Sequence, residues 1–532
     1  MLANGYIEAL TPELILTVAA IAALFVGVFG RGRLSGLVFL LAAVGIAASA
    51  YATLAPTGGG CPCCEETALT GIKLGPMATY TRLITLAVGA LLLLICWHLP
   101  EAANRGEFFG MVLFSMTGAM LTGLADDLVV LLIALELVSM PTYVLVATGR
   151  NDVRAQEAGV KYFFLGAMAS AFAAYGFSFL YGLAGTTAMS AAHAGQQASI
   201  AQAMIGHSGD FVVVVGLALS IFGLAFKVAA VPLHFYAADV YEGAAAPVTG
   251  LLGFMPKVAG FVALAKILGT VGSEMPEVIF WLIWGLAAAT MLIGNVLALM
   301  QTNVKRILAY SSIAHSGYML VAVLVGPTVA ADSPIRDGVG AMLFYIAIYG
   351  VTNLGAFAIV GLLRARGGME GDQLDDLAGL SRSYPGIALC LAICAFSLMG
   401  MPPTAGFMGK VYIFGSALSL EAASPHKVSM ILLAVVGVLT SAIGAVYYLR
   451  IIAACYLREP TAEVGAVRCG LLKLGVGLAA VIVMLAGLLP GRLVAGARQA
   501  AGDVVPPKVA PADRTADASP LPSPGSSVAR EQ

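Results

Sequence analysis

The chain has 532 residues, of which 60% are hydrophobic and only 11% charged, with a mean hydropathy of +0.92 and a formal net charge of −1. Soluble domains carry about 25% charged residues, so this composition excludes an ordinary soluble globular protein. The near-neutral balance also argues against nucleic acid as a partner.

Apolar runs of about 17–25 residues are long enough to cross a bilayer. They fall near 12–30, 34–54, 78–99, 108–125, 128–148, 157–184, 210–231, 247–270, 276–300, 304–326, 338–363, 386–420, 428–456 and 471–490. These are spans 1 to 14, and span 12 is interrupted at Pro402–Pro403. The first lacks the basic leader and cleavage site of a signal peptide, so it is expected to be a retained helix. The loop after span 2 clusters Cys61, Cys63 and Cys64 beside Pro62. A zinc site needs a fourth ligand, for which Glu65 and Glu66 are poor candidates, and a loop disulfide or free thiols is the stronger reading.

Span 5 carries Glu136 within LIALELVSMP, five residues before Pro141. Span 6 opens with Glu157 and Lys161, which share one helix face at i,i+4 spacing. They fit either a local ion pair or a relay. In span 7, Lys227 precedes Pro232 by five residues and His234 follows it by two. Asp239 and Glu242, in the turn beyond, are equally readable as a gate or as solvated charges. Span 8 holds Lys257 within GFMPKVAG, with no acid within one turn; a snorkelling lysine is the plainer alternative. Span 10 places His315 among Ser311, Ser312, Ser316 and Tyr318, and an imidazole can pass protons either way near neutral pH.

The loop from Arg364 to Pro385 is polar and carries four acidic residues between Glu370 and Asp376. In span 12, Lys410 follows the Pro402–Pro403 pair by seven or eight residues. From Gly491 to Gln532 the chain is rich in Pro, Ala, Ser and Asp, a composition that predicts a disordered tail. Residues 1–490 are therefore expected to form the membrane domain. With no nucleotide-binding loop and no iron–sulfur cysteine spacing, redox chemistry is expected to lie on other chains.

Four charges thus fall well inside apolar spans, away from the ends where a charge is ordinary: Glu136, Lys227, Lys257 and Lys410. Each costs about 2.5–3.5 kcal/mol on insertion scales, roughly 10–14 kcal/mol together. Proton or ion movement is the task that would justify retaining them. A Glu/Lys pair that can separate is a proton switch, since pairing holds the lysine charged and separation lets it release a proton. The plainer alternative is a static pair that fixes helix packing. Proline removes a backbone hydrogen bond, so spans 7 and 12 read as broken helices, the mark of an inverted-repeat transporter.

Loops after odd-numbered spans hold fourteen basic residues, among them Arg31, Arg150, Lys305, Arg306, Arg382 and Arg450. The opposite side holds five, namely Lys73, Arg82, Lys266, Arg336 and Lys427. This bias places the odd loops in the cytoplasm and both termini outside it.

Four runs carry a family resemblance: FKVAAVPLHFYAADVYEGAAAPVTGLLGFMPKV at 226–258, QTNVKRILAYSSIAHSGYML at 301–320, FYIAIYGVTNLGAF at 344–357 and FSLMGMPPTAGFMGK at 396–410. Over roughly 108–457 the chain resembles the antiporter-like membrane subunits of respiratory complex I, and among them the subunit N branch of bacterial NADH–quinone oxidoreductase. The resemblance implies an all-α polytopic fold of about 14 transmembrane helices with two inverted repeats and discontinuous helices 7 and 12. It implies a proton relay of Glu136, Lys227, Lys257, His315 and Lys410, with Glu157, Lys161 and His234 as further members. It also implies a place in the bacterial inner membrane beside partner subunits that hold NADH, FMN, iron–sulfur clusters and quinone, with no cofactor on this chain. After His234 the chain reads FYAAD where the family has x-Trp-x-Pro-Asp, a departure confined to that turn. The chain is shorter than the largest sister subunit, and it has Lys410 where the third sister often has glutamate. A subunit of a multi-subunit cation/proton antiporter or of a membrane-bound hydrogenase, and a self-contained secondary transporter, stay open as alternatives.

Overall fold

In a bilayer every backbone N–H and C=O must find its partner within the protein, and the apolar runs accordingly fold as helices. The computed structural model describes residues 2–504 except 31–32, 56–67, 70, 98–103, 151, 191–198, 273–274, 327–336, 365–370, 422–423, 461–464 and 467–468. The Cys61, Cys63 and Cys64 cluster lies outside the described residues.

Unbroken helices form spans 1 (Thr11–Gly30), 2 (Ser35–Leu54), 3 (Pro76–Cys96), 4 (Arg105–Leu124), 5 (Leu128–Thr148) and 6 (Val153–Ala184). Span 7 is two pieces, 7a (Phe211–Lys227) and 7b (Phe235–Gly243). Span 8 runs from Ala246–Leu252 into Met255–Val271, followed by spans 9 (Glu277–Leu299), 10 (Val304–Val325) and 11 (Gly338–Leu362). Span 12 is again two pieces, 12a (Pro385–Met399) and 12b (Ala405–Leu418), before spans 13 (Lys427–Leu457) and 14 (Gly470–Leu488). Twelve of these are long and apolar enough to cross a membrane, and the two broken spans complete the fourteen expected. Spans 4–8 and 9–13 are five-crossing units with the broken helix fourth in each. Five is odd, so the second unit starts on the opposite side from the first and is inverted relative to it.

Side-chain oxygens cap several helix starts, which typically contributes about 1 kcal/mol each. Asp127 Oδ1 accepts the N–H of Val129 at 2.8 Å, Asp152 Oδ1 that of Ala155 at 2.8 Å, and Asp337 Oδ1 that of Gly340 at 2.9 Å. Spans 8, 10 and 11 are enclosed by protein over nearly their whole length, whereas spans 1, 2, 6 and 13 leave most of their apolar surface outward. The charged side chains of interest fall on or beside that enclosed centre.

The first and last described helices, Leu2–Ala9 and Gly491–Gly502, both neighbour span 3, and an even number of crossings puts the two on one side. The helix Gly491–Gly502 packs on spans 3 and 11 through Ala497, Ala500 and Ala501. Asp503 Oδ2 accepts the Met77 N–H at the start of span 3 at 2.8 Å, and Lys73 Nζ stands 3.9 Å from Asp503 Oδ1. Burial pushes the Asp337 carboxyl above its ordinary range, opposed by the Gly340 N–H and by Arg498 of this C-terminal helix. The composition that predicts disorder from Gly491 onward contains an alanine stripe with a surface to dock on, and residues 491–502 are helical.

Three basic residues assigned to loops and helix ends are in fact buried or inward. Arg82 lies within span 3 and forms a forked pair with Glu13 of span 1, Nε and Nη2 each donating at 2.7 Å, while Nη2 also donates to Ala9 O at 2.7 Å. Lys266 of span 8 donates to Gly123 O and Ala125 O at the end of span 4, at 2.7 and 2.6 Å. Lys305, fully buried at the start of span 10, donates to Ala244 O at 2.9 Å.

Removing one partner of a buried ion pair leaves the other uncompensated, at a cost of about 3–5 kcal/mol. Arg82→Ala is therefore expected to lower the thermal stability of the purified protein sharply, and Glu13→Leu with Arg82→Leu to recover part of that loss. Thermal unfolding in detergent measures both.

Candidate functional site

Helix 7a stops inside its apolar run, and its end is built to stop there. Ala229 takes a positive φ of 55°, Ala229 N–H donates to Phe226 O at 2.9 Å, and Ala230 N–H donates to Ala225 O at 2.8 Å. This is a Schellman closure with alanine where glycine is usual. Lys227 is the last helical residue, where the negative end of the helix dipole favours a cation. Its Nζ donates to Glu136 Oε1 at 3.0 Å, to Ser139 Oγ at 2.6 Å and to Ser170 Oγ at 3.2 Å. Ser170 Oγ in turn donates to Glu136 Oε1. Spans 5, 6 and 7 thus converge on one charged pair, with Lys227 buried and Glu136 about a quarter exposed at 26%.

Span 8 meets 7a closely at Gly260, where an added Cβ would stand 3.1 Å from Lys227 Cβ. Lys257 lies one turn earlier on the same helix and is 1% exposed. Its ammonium donates to Ser312 O and, at 2.8 Å, to Ser316 Oγ, and it stands 5.2 Å from the Tyr349 ring centroid. Among the described residues no carboxylate pairs with it. Ser312 Oγ and Tyr349 Oη are buried beside it.

His315, on span 10 next to Ser316, bridges two tyrosines. Its Nδ1 is 2.6 Å from Tyr345 Oη of span 11, and its Nε2 is 2.9 Å from Tyr448 Oη of span 13. Tyr448 Oη also bonds Ser311 Oγ. An imidazole between two hydroxyls can take a proton at one nitrogen and give it up at the other.

Helix 12a closes like 7a, with Gly400 at φ 86°, Gly400 N–H donating to Ser397 O at 3.0 Å and Met401 N–H to Phe396 O at 2.9 Å. Here the cation comes from the second piece. Lys410 Nζ donates to Leu398 O and Met399 O, the last carbonyls of 12a, at 3.1 and 2.8 Å, and to Ser441 Oγ at 2.7 Å. It stands 5.2 Å from the Tyr318 ring centroid. Tyr318 Oη accepts from Asn295 Nδ2 at 3.0 Å, and Asn295 Oδ1 accepts from Tyr447 Oη at 3.1 Å.

The other predicted residues lie apart from this row. Lys161 is 44% exposed and stands 2.7 Å from Glu157 Oε1 and 3.4 Å from Asp239 Oδ2. His234 is half-buried at the start of 7b. Asp239 and Glu242 both pair with Arg306 of span 10, at 2.9 and 2.8 Å. Ser139, Ser170, Ser441, Tyr345 and Tyr448 were not singled out from sequence. Ser139 was findable, being one turn after Glu136, and Tyr345 lies in the 344–357 run. Among the described residues, no group of three or more His, Cys, Asp or Glu could hold a metal ion.

Residues 125–444 match the family described as NADH:quinone oxidoreductase/Mrp antiporter, TM. The chain is 39% identical to NADH-quinone oxidoreductase subunit N of Rhodospirillum rubrum, covering 92% of this chain and 96% of the relative. Among solved structures it resembles a chain of respiratory complex I from Thermus thermophilus with bound aureothin, at 28% identity and a TM-score of 0.71, covering 91% and 98% of the two chains. A chain of the Mrp complex from a Dietzia species shares the fold at 22% identity and a TM-score of 0.77, covering 94% and 98%.

Gly400 is where the 12a closure and Lys410 press on each other, since an added Cβ would stand 2.8 Å from Lys410 Cδ. Gly400→Ala is expected to cost about 1–2 kcal/mol from its left-handed backbone alone and to shift the ammonium off the 12a carbonyls. A lowered unfolding temperature together with reduced proton translocation is the expected result.

Proposed function

The chain belongs to the NADH:quinone oxidoreductase/Mrp antiporter membrane family and groups with its subunit N members, and from that premise we propose that it translocates protons as a membrane-arm subunit of a bacterial NADH:quinone oxidoreductase. The observation that carries the proposal is the row of three buried lysines, of which Lys227 alone has a carboxylate partner among the described residues. A purely structural set of charges would be paired throughout, because an unpaired buried charge is costly.

Glu136 holds the Lys227 ammonium in its charged form. When the pair loosens, the proton is free to leave toward Lys257, where the Ser312, Ser316 and Tyr349 hydroxyls offer sites for water-borne hops. His315 passes it between Tyr345 and Tyr448 toward Lys410, which the carbonyls at the end of 12a receive. Charges in such a row are coupled: two unit charges about 10 Å apart at an effective dielectric near 20 repel by about 1.7 kcal/mol, roughly a 17-fold bias. Loading one lysine therefore drives the next to empty.

The drive comes from partner subunits, which hold NADH, FMN, iron–sulfur clusters and quinone; the subunit N names of the relatives support that assignment. They also favour this reading over a cation antiporter or a hydrogenase subunit. Basic-residue bias supports a cytoplasmic position for the odd loops, including Arg306 and the outer end of 7b, and a periplasmic one for both termini in the inner membrane. In this reading Lys161 and Glu157 serve a cytoplasmic entrance, and His234 at the start of 7b is a step between it and Lys227.

Lys227→Ala in the assembled complex is expected to lower NADH-driven proton translocation at least about tenfold, the effect of losing roughly 1.4 kcal/mol in the coupling step. Lys227→Arg separates a switch from a static pair, since arginine keeps the pair but does not release its proton. Failure of both variants to pump is the expected result. Full pumping by Lys227→Ala would overturn the relay, and full pumping by Lys227→Arg would make the pair structural.

A further inference from the structure

Helix 7b is severed from 7a by residues 228–234, so helix continuity does not fix its position relative to Lys227. Side chains from two neighbouring spans do so instead. Arg306 Nη1 of span 10 donates to Asp239 Oδ1 at 2.9 Å and Glu242 Oε2 at 2.8 Å, gripping two carboxylates one turn apart on 7b. Gln301 Oε1 accepts from Arg306 Nε at 3.1 Å and orients the guanidinium. From the other flank, Lys161 Nζ of span 6 donates to Asp239 Oδ2 at 3.4 Å while held by Glu157 at 2.7 Å.

At its inner end 7b reaches back across the break. Tyr236 Oη donates to Phe226 O at 2.9 Å, and the two rings stack with centroids 4.2 Å apart. Phe226 is the neighbour of Lys227, and its carbonyl is the one that the Ala229 N–H closes upon. Tyr236 also stacks on Tyr162 of span 6 at 5.4 Å, one residue from Lys161. The ion cluster and the closure of 7a are thus the two ends of one short rigid piece.

We propose that Arg306 is a positioning residue for Lys227, acting through 7b as a lever: the Arg306–Asp239–Glu242 grip sets the Tyr236–Phe226 contact and so the register in which Lys227 meets Glu136. The proposal rests on the relay reading of Lys227. It gives Asp239 and Glu242 a function as handles on 7b, and Tyr236 the function of transmitting their position. A guanidinium suits this role because Nη1 donates to both carboxylates while Nε stays fixed on Gln301, a division between two nitrogens that the single nitrogen of an ammonium does not offer.

The test uses the assembled complex in vesicles, with Arg306→Gln, Arg306→Lys and Tyr236→Phe compared with Lys227→Ala. Tyr236→Phe keeps the stacked ring and removes only the hydroxyl that bonds Phe226 O. The expected result is a fall of about 3- to 10-fold in maximal NADH-driven turnover and proton translocation for Arg306→Gln and Tyr236→Phe, the range of a coupling residue. Arg306→Lys should be intermediate. The KM for quinone should be unchanged in all three, since a loss of structure would disturb it as well. Wild-type turnover in assembled Arg306→Gln overturns the proposal. If that variant does not assemble, wild-type turnover in Tyr236→Phe overturns it. Inactive Lys227→Ala beside fully active Arg306→Gln and Tyr236→Phe removes only this inference, whereas fully active Lys227→Ala removes the relay itself.

Discussion

A helix that stops within an apolar span leaves carbonyls that lipid cannot satisfy, and that constraint organises the rest of this molecule. Both stops use the same closure, centred on Ala229 in span 7 and Gly400 in span 12. Each places a lysine ammonium at the negative end of a half-helix. Lys227 is itself the last residue of its half-helix, while Lys410 reaches back from the second half to the terminal carbonyls of the first. The broken backbone and the buried cation stabilise one another, so neither is separable from the other by a simple substitution.

Charge balance then distinguishes the two units. The first carries a carboxylate, Glu136, that the Ser170 hydroxyl and the Lys227 ammonium hold in place. The second has none beside Lys410 among the described residues, and satisfies its lysine with carbonyls, Ser441 Oγ and the face of Tyr318. A cation held by neutral dipoles is easier to discharge than one held by an anion. Lys257 of the first unit and His315 of the second stand on spans that protein encloses almost completely, so a proton moving between them is shielded from lipid and bulk water.

The membrane fold was largely legible, because length and apolarity of a run speak for themselves once water is excluded. The breaks were legible from Pro232 and Pro402–Pro403, and the four charges from their cost. The unread features share a physical cause. Tyr345 and Tyr448 have the same sequence appearance as any core aromatic, and only the fold brings their hydroxyls to His315. Arg82 lies six residues from the start of its helix, where an interfacial arginine is ordinary, and its partner Glu13 is two spans away. Arg306 read as a loop cation, and Asp239 and Glu242 as turn charges, because pairing across spans 7 and 10 is not local. The alanine stripe at 497–501 was masked by the polar composition of the segment that contains it.

The central claim is that the Glu136–Lys227 pair opens and closes as protons move. Infrared difference spectroscopy of the assembled complex, resting against turning over, tests it most directly, with the Glu136 band identified by its loss in Glu136→Gln. A reversible change in that carboxylate signal during NADH oxidation, absent when proton transfer is blocked by Lys410→Ala, is the expected result. A Glu136 signal that stays identical between rest and turnover would contradict the account and leave the pair as a fixed strut.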